Sequence, residues 1–253
     1  MSQGYPLFDA HLHIVDPRFP VVSNQGYRPE PFTVADYRDR TSELGVVGGA
    51  VVSGSFQAYD TTYLTSALEE LGPSYVGVVQ LPEDVSETEV ARLDAAGVRA
   101  ARFNARRGGA DSLAHLASLG GLVHAVAGWH VELYIDSRDL AEIEAVLRGL
   151  PAVVVDHLGL SADGFERLLP LVADGMHVKA TGFGRVDLDV PAALRALHAA
   201  NPEALMVGTD LPSTRAPRPF RDSDLELVAE ALGEDGARAA FTENAQRLYR
   251  PAA

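Results

Sequence analysis

The stretch Leu7-Phe-Asp-Ala-His-Leu-His13 pairs the apolar residues of a buried β-strand with titratable side chains at every second position. Because side chains alternate between the two faces of a strand, we expect one apolar and one polar face. The apolar face would carry Phe8, Ala10, Leu12 and Ile14, and the polar face Asp9, His11 and His13. Two imidazoles projecting from one strand end can coordinate a cation, and burying them without a partner is costly. The motif predicts a metal or catalytic site, with hydrogen-bonded structural histidines as the alternative.

Short runs rich in Val, Ala and Gly recur between amphipathic stretches, as expected of βαβ units around a parallel sheet. The strand candidates are Leu7–His13, Gly49–Ser53, Tyr75–Gln80, Ala100–Phe103, His130–Ile135, Val153–His157, His177–Thr181 and Leu205–Thr209. The helical patterns include Glu87–Ala96, Ser137–Arg148, Asp163–Val172, Pro191–Ala200 and Ser223–Leu232. Eight such units in 253 residues predict an α/β fold, a single-domain (β/α)8 TIM barrel over residues 1–253. The alternative is an open doubly wound sheet, but no glycine-rich nucleotide-binding fingerprint follows the first strand.

The composition narrows the classes of partner and cofactor. A net charge of −14 opposes binding to phosphate-rich surfaces, so we expect neither nucleic acid nor an anionic membrane as a partner. The chain has no cysteine, so His, Asp or Glu would have to hold any metal ion. Neither a leader-peptide pattern nor a run of eighteen apolar residues occurs, which favours a cytoplasmic location.

Two further predicted strands end in residues that can carry chemistry. One runs Val-Val-Val-Asp-His157, and the other runs Leu-Met-Val-Gly-Thr-Asp210. A barrel collects catalytic groups from the carboxyl ends of different strands, so His157 and Asp210 are expected beside His11 and His13. Taken singly, each has an ordinary structural role as its alternative.

These segments resemble the amidohydrolase superfamily, amidohydrolase 2 type, in the branch that contains 2-pyrone-4,6-dicarboxylate lactonase. The resembling segments are FDAHLHIVDPRFP, RFNARRGG, GWHVELYIDSRDL, VVVDHLG, KATGFGRVD and GTDLPSTRAPRPF. The resemblance implies a catalytic site of His11, His13, His157 and Asp210, in which the aspartate activates water and then returns the proton to the leaving oxygen. It also implies that these four residues would hold one divalent metal, with zinc as the first choice, or that the site works without a metal.

The fifth predicted strand departs from the superfamily pattern. Tyr134 stands where many members have a further histidine ligand, which argues against a site with two metals. The strand places His130, Glu132 and Tyr134 on one face. We expect Tyr134 to contact substrate or polarise a carbonyl. Lys179, the only lysine, is expected to be an ion-pair partner inside the barrel, with an incidental lysine as the alternative.

Arginines near the predicted strand ends indicate an anionic substrate, because guanidinium groups bind carboxylates in a bidentate fashion. By resemblance, Arg102, Arg107 and Arg185 bind the carboxylates of the substrate. The other predicted substrate-binding residues are Ser53, His130 and Arg215. For each arginine the alternative is a surface ion pair, and Arg215 has a further alternative as a brace for the Pro-rich loop that follows the eighth strand.

The expected activity is hydrolysis of a carboxylated lactone, similar to a pyrone dicarboxylate, a sugar lactone or muconolactone, by water activated at Asp210. The alternatives are a metal-dependent decarboxylase of the same superfamily and a non-catalytic barrel that binds a small acid. The long segment Asp16–Thr33 is expected to form a loop over the barrel mouth. The expected partners are a small anionic substrate and, as an option, further copies of the chain in a homo-oligomer.

Overall fold

The computed structural model describes residues 4–108 and 113–252, without the side chains of residues 107 and 108. Eight parallel strands lie side by side in chain order and confirm the predicted barrel. They are β1 Leu7–Leu12, β2 Val46–Val52, β3 Tyr75–Val79, β4 Val98–Phe103, β5 His130–Leu133, β6 Val153–Val155, β7 His177–Ala180 and β8 Leu205–Val207. Each lies within three residues of its predicted bounds.

Helices connect successive strands and cover the outside of the barrel. Those before β5 are α1 Val34–Thr41, α2 Thr62–Leu71, α3 Glu87–Ala95, α4 Ala105–Gly108 and α5 Leu116–Ala127. Those after β5 are α6 Leu140–Gly149, α7 Phe165–Ala173, α8 Val190–Ala200, α9 Ser223–Arg238 and α10 Asn244–Tyr249. The predicted helices correspond to α3, α6, α7, α8 and α9. None of the described helices is both long and apolar enough to span a membrane.

The barrel interior is filled by small and branched side chains, with one aromatic residue inserted from the C-terminal helix. Phe8, Val154 and Met206 pack together there and are fully buried. The ring of Tyr249, at the end of α10, stacks on Phe8 with 5.8 Å between the ring centroids. The tyrosine hydroxyl donates a hydrogen bond to Glu132 of β5. The end of the chain therefore supports the same interior that carries the polar residues.

The expected alternation along β1 is wrong, because the strand contains a bulge. The register against β2 shifts between Asp9 and Leu12. Phe8 and Ala10 pack in the barrel interior, whereas Leu12 packs in the outer core under the helices. Asp9 also points outward, where the Tyr37 hydroxyl of α1 donates to its carboxylate at 3.1 Å. A bulge adds one residue to a strand and re-aims the side chains that follow it. His11 and His13 therefore point into the barrel on the same side as Phe8 and Ala10.

The barrel is closed between β1 and β8 by single contacts rather than by a long ladder. The Asp210 amide donates to the His11 carbonyl at 2.7 Å, and the His13 amide donates to the Leu211 carbonyl at 2.8 Å. The Asp9 carboxylate accepts hydrogen bonds from the Thr209 amide at 2.8 Å and from its hydroxyl at 2.7 Å. These contacts fix His11 of β1 and His13, which follows the strand, against the segment that carries Asp210.

The segment Asp16–Thr33 lies across the barrel mouth, as predicted. Its two ends are joined by reciprocal backbone hydrogen bonds between Val15 and Phe32, at 2.7 and 2.8 Å. The Val22 amide donates to the Phe56 carbonyl beyond β2. Arg215, beyond β8, donates to the Asn24 carbonyl. The loop is therefore tied to the segments after β2 and β8, the two neighbours of β1.

Candidate active site

Three predicted residues meet at the carboxyl end of the barrel. His11, His157 and Asp210 are buried, and one possible donor atom from each lies within 4.8 Å of the others. The bulge in β1 positions His11. His157 lies two residues after β6 and Asp210 three residues after β8, with φ angles of 52° and 60°. Residues other than glycine seldom adopt such angles, and they tend to do so at functional sites.

His13 lies beside this group and faces the same carboxylate. Its Nδ1 lies 2.7 Å from the Val52 carbonyl, so this nitrogen carries the proton and leaves Nε2 with a free lone pair. His13 Nε2 and His11 Nε2 are each 3.9 Å from Asp210 Oδ1. That distance exceeds a direct hydrogen bond. The two imidazoles and the carboxylate thus surround a space where a further atom fits between them.

The two oxygens of Asp210 have different surroundings. Oδ2 accepts a hydrogen bond from Arg185 Nε at 2.7 Å and lies 2.6 Å from its Nη2. Oδ1 is buried and has no hydrogen-bond partner among the described residues. An unpaired buried carboxylate oxygen is costly, which indicates that it receives a proton or a cation when the site operates. Arg185 orients the carboxylate and leaves one oxygen open to the histidines.

The donor set fits a single divalent metal ion. His11 Nε2 and Asp210 Oδ1 are both buried without partners, and imidazole and carboxylate are suitable ligands for zinc. Within residues 4–108 and 113–252, His11, His157 and Asp210 form the one group with this capacity. Tyr134 lies beside them, where its ring meets the His157 ring edge-on at 5.2 Å. A phenol at this position agrees with the expectation of one metal at most.

The environment of the three histidines favours neutral imidazoles. Burial lowers the pKa of His11, and the nearby Lys179 ammonium adds to this effect. Burial together with His11 and Arg102 lowers the pKa of His13 well below its ordinary value. Burial together with His11 and Arg185 does the same to the pKa of His157. Neutral imidazoles can accept a proton or bind a cation, so all three rings are ready for either role.

A buried ion-pair network lies beneath the histidines. The Asp156 carboxylate is 3.3 Å from His11 Nδ1 through Oδ1 and 3.1 Å from Arg102 Nη2 through Oδ2. Lys179 Nζ donates to Glu132 at 2.6 Å and lies 3.8 Å from Asp156 Oδ1. The expectation of an ion-paired lysine inside the barrel is thus confirmed. Sequence reasoning missed Asp156, although it directly precedes His157.

The predicted substrate-binding residues fall into two groups. Arg102, Tyr134, Arg185 and Arg215 line a small cavity together with His13, His157 and Asp210. Ser53 instead makes a hydrogen bond through its hydroxyl to Tyr63 of α2 at 2.8 Å, and its carbonyl accepts from Arg102. His130 contacts Glu132 at 3.2 Å and the ring of Tyr249 at 5.1 Å. The structure therefore does not bring the Ser53 and His130 side chains to the cavity. The side chain of Arg107 lies outside the described part of the chain.

The small cavity connects two larger spaces. It has a volume of about 30 Å³, which is enough to hold a water molecule. On one side, Tyr134, Arg185 and Arg215 also line a cavity of about 270 Å³ with Arg106 and Arg138. On the other side, Arg102 and Asn104 also line a cavity of about 610 Å³. A substrate whose reacting bond lies beside Asp210 must extend into one or both of these spaces.

The chain is similar to known proteins over almost its entire length. A family model described as Amidohydrolase matches residues 8–250. The chain is 31% identical over 156 residues to 2-pyrone-4,6-dicarboxylate hydrolase of Comamonas testosteroni, a match that covers 60% of this chain and 51% of that protein. Here the chain spans only about half of the relative's length.

Two other relatives match over longer stretches. D-galactarolactone isomerase of Agrobacterium fabrum is 28% identical over 268 residues, which covers 96% of this chain and 90% of that protein. 4-Sulfomuconolactone hydrolase of Rhizobium radiobacter is 26% identical over 267 residues, with 96% and 89% covered. A solved structure of a putative 2-pyrone-4,6-dicarboxylic acid hydrolase from Pseudomonas putida superposes with a TM-score of 0.82 at 27% identity, with 97% and 98% covered.

Proposed function

Because this chain belongs to the amidohydrolase family, we propose that it is a hydrolase that opens the ring of a lactone bearing an anionic group. The single observation that carries the proposal is the open Asp210 Oδ1, buried 3.9 Å from two imidazole nitrogens. The three relatives support the substrate class, since each is named for a lactone with acidic substituents.

In the proposed reaction, a water molecule in the small cavity attacks the ester carbonyl. Asp210 Oδ1 takes a proton from the water as the new carbon–oxygen bond forms. The ester carbon–oxygen bond then breaks, and the same proton passes from Asp210 to the leaving ring oxygen. The ring becomes a hydroxy acid or its keto form, and Asp210 returns to its charged state. Arg185 keeps the carboxylate in position throughout.

The proposed cofactor is one zinc ion held by His11, His157 and Asp210, with His13 as a further candidate ligand. When bound, zinc would lower the pKa of water and polarise the ester carbonyl. Without it, neutral His13 and the Tyr134 hydroxyl are among the groups lining the cavity that can hydrogen-bond to the substrate. Asp210 is the proton acceptor whether or not zinc is bound.

Arginines support the proposal of an anionic substrate. Four arginines and two aspartates line the cavity of about 270 Å³: Arg106, Arg138, Arg185, Arg215, Asp136 and Asp187. Arg138 pairs with Asp136, and Arg185 pairs with Asp210 outside this cavity. A carboxylate or sulfonate in this cavity would meet guanidinium groups that bind oxyanions in a bidentate fashion. The protein has a net charge of −14, so this local positive charge is the attraction that a small acid would experience.

The proposal is tested by incubating the purified protein with 2-pyrone-4,6-dicarboxylate, muconolactone and galactarolactone. Hydrolysis releases one acid equivalent per ring, which a pH-stat measures directly. An isomerase would produce a new lactone without acid release, and a decarboxylase would release carbon dioxide. Acid release with loss of the lactone carbonyl band supports the proposal, and either other product pattern overturns it.

A further inference from the structure

The larger cavity beside Arg102, with a volume of about 610 Å³, differs in charge from the arginine-lined cavity. Its walls are formed by Leu81, Phe103, Leu119 and the polar residues Gln80 and Asn104. Arg102 is the one arginine among the described residues that line it, and the Asp156 carboxylate already pairs with it. Leu81, Phe103 and Leu119 are all buried, so they form an apolar wall under the opening.

The rim of this cavity carries an acidic residue. Glu83 lines the opening and pairs with His115. The side chain of Glu83 is 61% exposed, so its carboxylate faces the route by which a substituent would enter. An anionic group would meet this carboxylate at the rim, and Arg102, the arginine that lines the cavity within the described part of the chain, is already paired with Asp156. The cavity therefore selects against a second acidic group.

The dimensions of the site require the substrate to extend beyond the catalytic residues. The space at Asp210 is much smaller than the cavity beside it, about 30 Å³ against about 610 Å³ on the same measure. The cavity of 610 Å³ has the size of an ordinary ligand pocket, on the order of 300–1,000 Å³. It shares Ser55, Arg102 and Asn104 with the catalytic cavity, so a bound ring can project a substituent directly into it.

Resting on the proposed function, we infer that the substrate is asymmetric: its acidic group lies among the arginines, and an uncharged, partly apolar substituent fills the cavity formed by Leu81, Phe103 and Leu119. The site is thus built for a lactone with one acidic end and one neutral end. A dicarboxylate whose second acidic group entered this cavity would place a negative charge near Glu83.

The test compares 2-pyrone carboxylates whose second substituent, across the ring from the carboxylate, is hydrogen, n-propyl or a second carboxylate. Burial of each added carbon should raise kcat/KM by about threefold or more. The kcat/KM of the propyl compound is therefore expected to exceed that of the hydrogen compound by at least about tenfold. The kcat/KM of the propyl compound should also exceed that of the dicarboxylate. If no compound is opened, the proposed function fails and this inference fails with it. Opening with the dicarboxylate or the hydrogen compound preferred overturns only the inference.

Two substitutions locate the preference in this cavity. Leu119→Trp fills the apolar wall and should lower the propyl-to-hydrogen ratio of kcat/KM by about tenfold. Glu83→Lys changes an exposed side chain, so folding is preserved, and it should shift the preference toward the dicarboxylate. Glu166→Lys, the same charge change on the exposed face of α7, is the matched control and should leave both ratios unchanged. Equal ratios in Glu83→Lys and in the control would contradict the assignment of this cavity.

Discussion

One carboxylate oxygen of Asp210 is hydrogen-bonded to Arg185 and the other has no partner among the described residues. Replacing Asp210 should therefore impair the chemical step without preventing binding. Asp210→Asn keeps an oxygen for Arg185 but cannot take a proton, and kcat for lactone opening should fall on the order of 10³-fold. The product should still bind, as measured by isothermal titration calorimetry. Asp39→Asn, on the exposed face of α1, is the matched control. Full turnover in Asp210→Asn would rule out this aspartate as the proton acceptor.

Asp156 is a positioning residue, because it contacts His11 and Arg102 rather than the reacting atoms. A proton on His11 Nδ1 that faces Asp156 Oδ1 leaves the Nε2 lone pair directed at Asp210. Lys179 Nζ is 3.4 Å from the same Nδ1 but only 2.6 Å from Glu132, so the ammonium is directed mainly at the glutamate.

Asp156→Asn should therefore weaken zinc binding by about 10- to 100-fold, the usual effect of losing a carboxylate behind a histidine ligand. Competition with a chromogenic chelator measures the affinity without reference to activity. Asp84→Asn, an exposed carboxylate, provides the comparison. An unchanged zinc affinity would show that the His11 tautomer does not depend on Asp156.

The sequence allows the reactive residues of the site to be predicted, but not the side chains that contact them. His11, His157 and Asp210 stand at strand ends within recognisable segments, so they were identified and do converge. The engagement of Arg185 with Asp210 depends on how the loops after β7 and β8 fold toward each other. No local sequence pattern encodes the contact between Arg185 and Asp210. The sequence therefore predicts Arg185 as a ligand for the substrate carboxylate and does not predict that it pairs with Asp210.

The junction between β1 and the residue that follows β8, Gly208, has little room for added atoms. A Cβ on Gly208 would lie 2.6 Å from the His11 amide nitrogen and 3.0 Å from its Cβ. Gly208→Ala should push the strands apart, lower the free energy of unfolding by about 1–3 kcal/mol and reduce activity. Gly121→Ala, in α5 where the added Cβ meets nothing, should instead raise stability by up to about 1 kcal/mol. Denaturant unfolding measures both, and equal stability of the two variants would contradict the steric argument.

The first residue of β7 should make stability depend on pH. Burial, with a smaller contribution from His130, lowers the pKa of His177 to about 4 from an ordinary value of 6.5. The unfolded chain then binds the proton more readily, so His177 costs stability as the pH falls through 6.5, and this cost is complete below about 4. His177→Gln should remove about 1–2 kcal/mol of this loss between pH 7 and 4. Unfolding curves at both pH values test this, and an identical pH dependence in both proteins would contradict it.

Most strands could be predicted well because they are short apolar runs that contain valine and are bounded by turn residues, as Val153–Val155 illustrates. The bulge in β1 could not, because strict alternation of Asp9, His11 and His13 reads as a regular strand. Only pairing with β2 shifts the register and separates Asp9 from the histidines. The polar stripe of β5 carries no such irregularity, and its predicted face is confirmed by the inward positions of His130 and Glu132.

For the whole protein, the zinc proposal predicts about one metal equivalent per chain. Dialysis against a chelator should abolish lactone opening, and added zinc should restore it. A ligand that binds only the folded state stabilises it, so zinc should also raise the Tm of the metal-free protein, but not that of His157→Ala. Full activity with less than about a tenth of an equivalent of metal would eliminate the zinc version and leave the metal-free one.

The contact between Asp9 and Thr209 has a consequence for synthesis of the chain. The two residues are separated by 200 positions, yet their hydrogen bonds fix His11 against Asp210. At a typical translation rate, the first strand waits about 10 to 40 seconds on the ribosome before its partner emerges. Tyr249, which completes the interior, follows later still. During that interval the β1 edge is exposed, and a nascent chain stalled before residue 209 would carry the histidines without any catalytic aspartate.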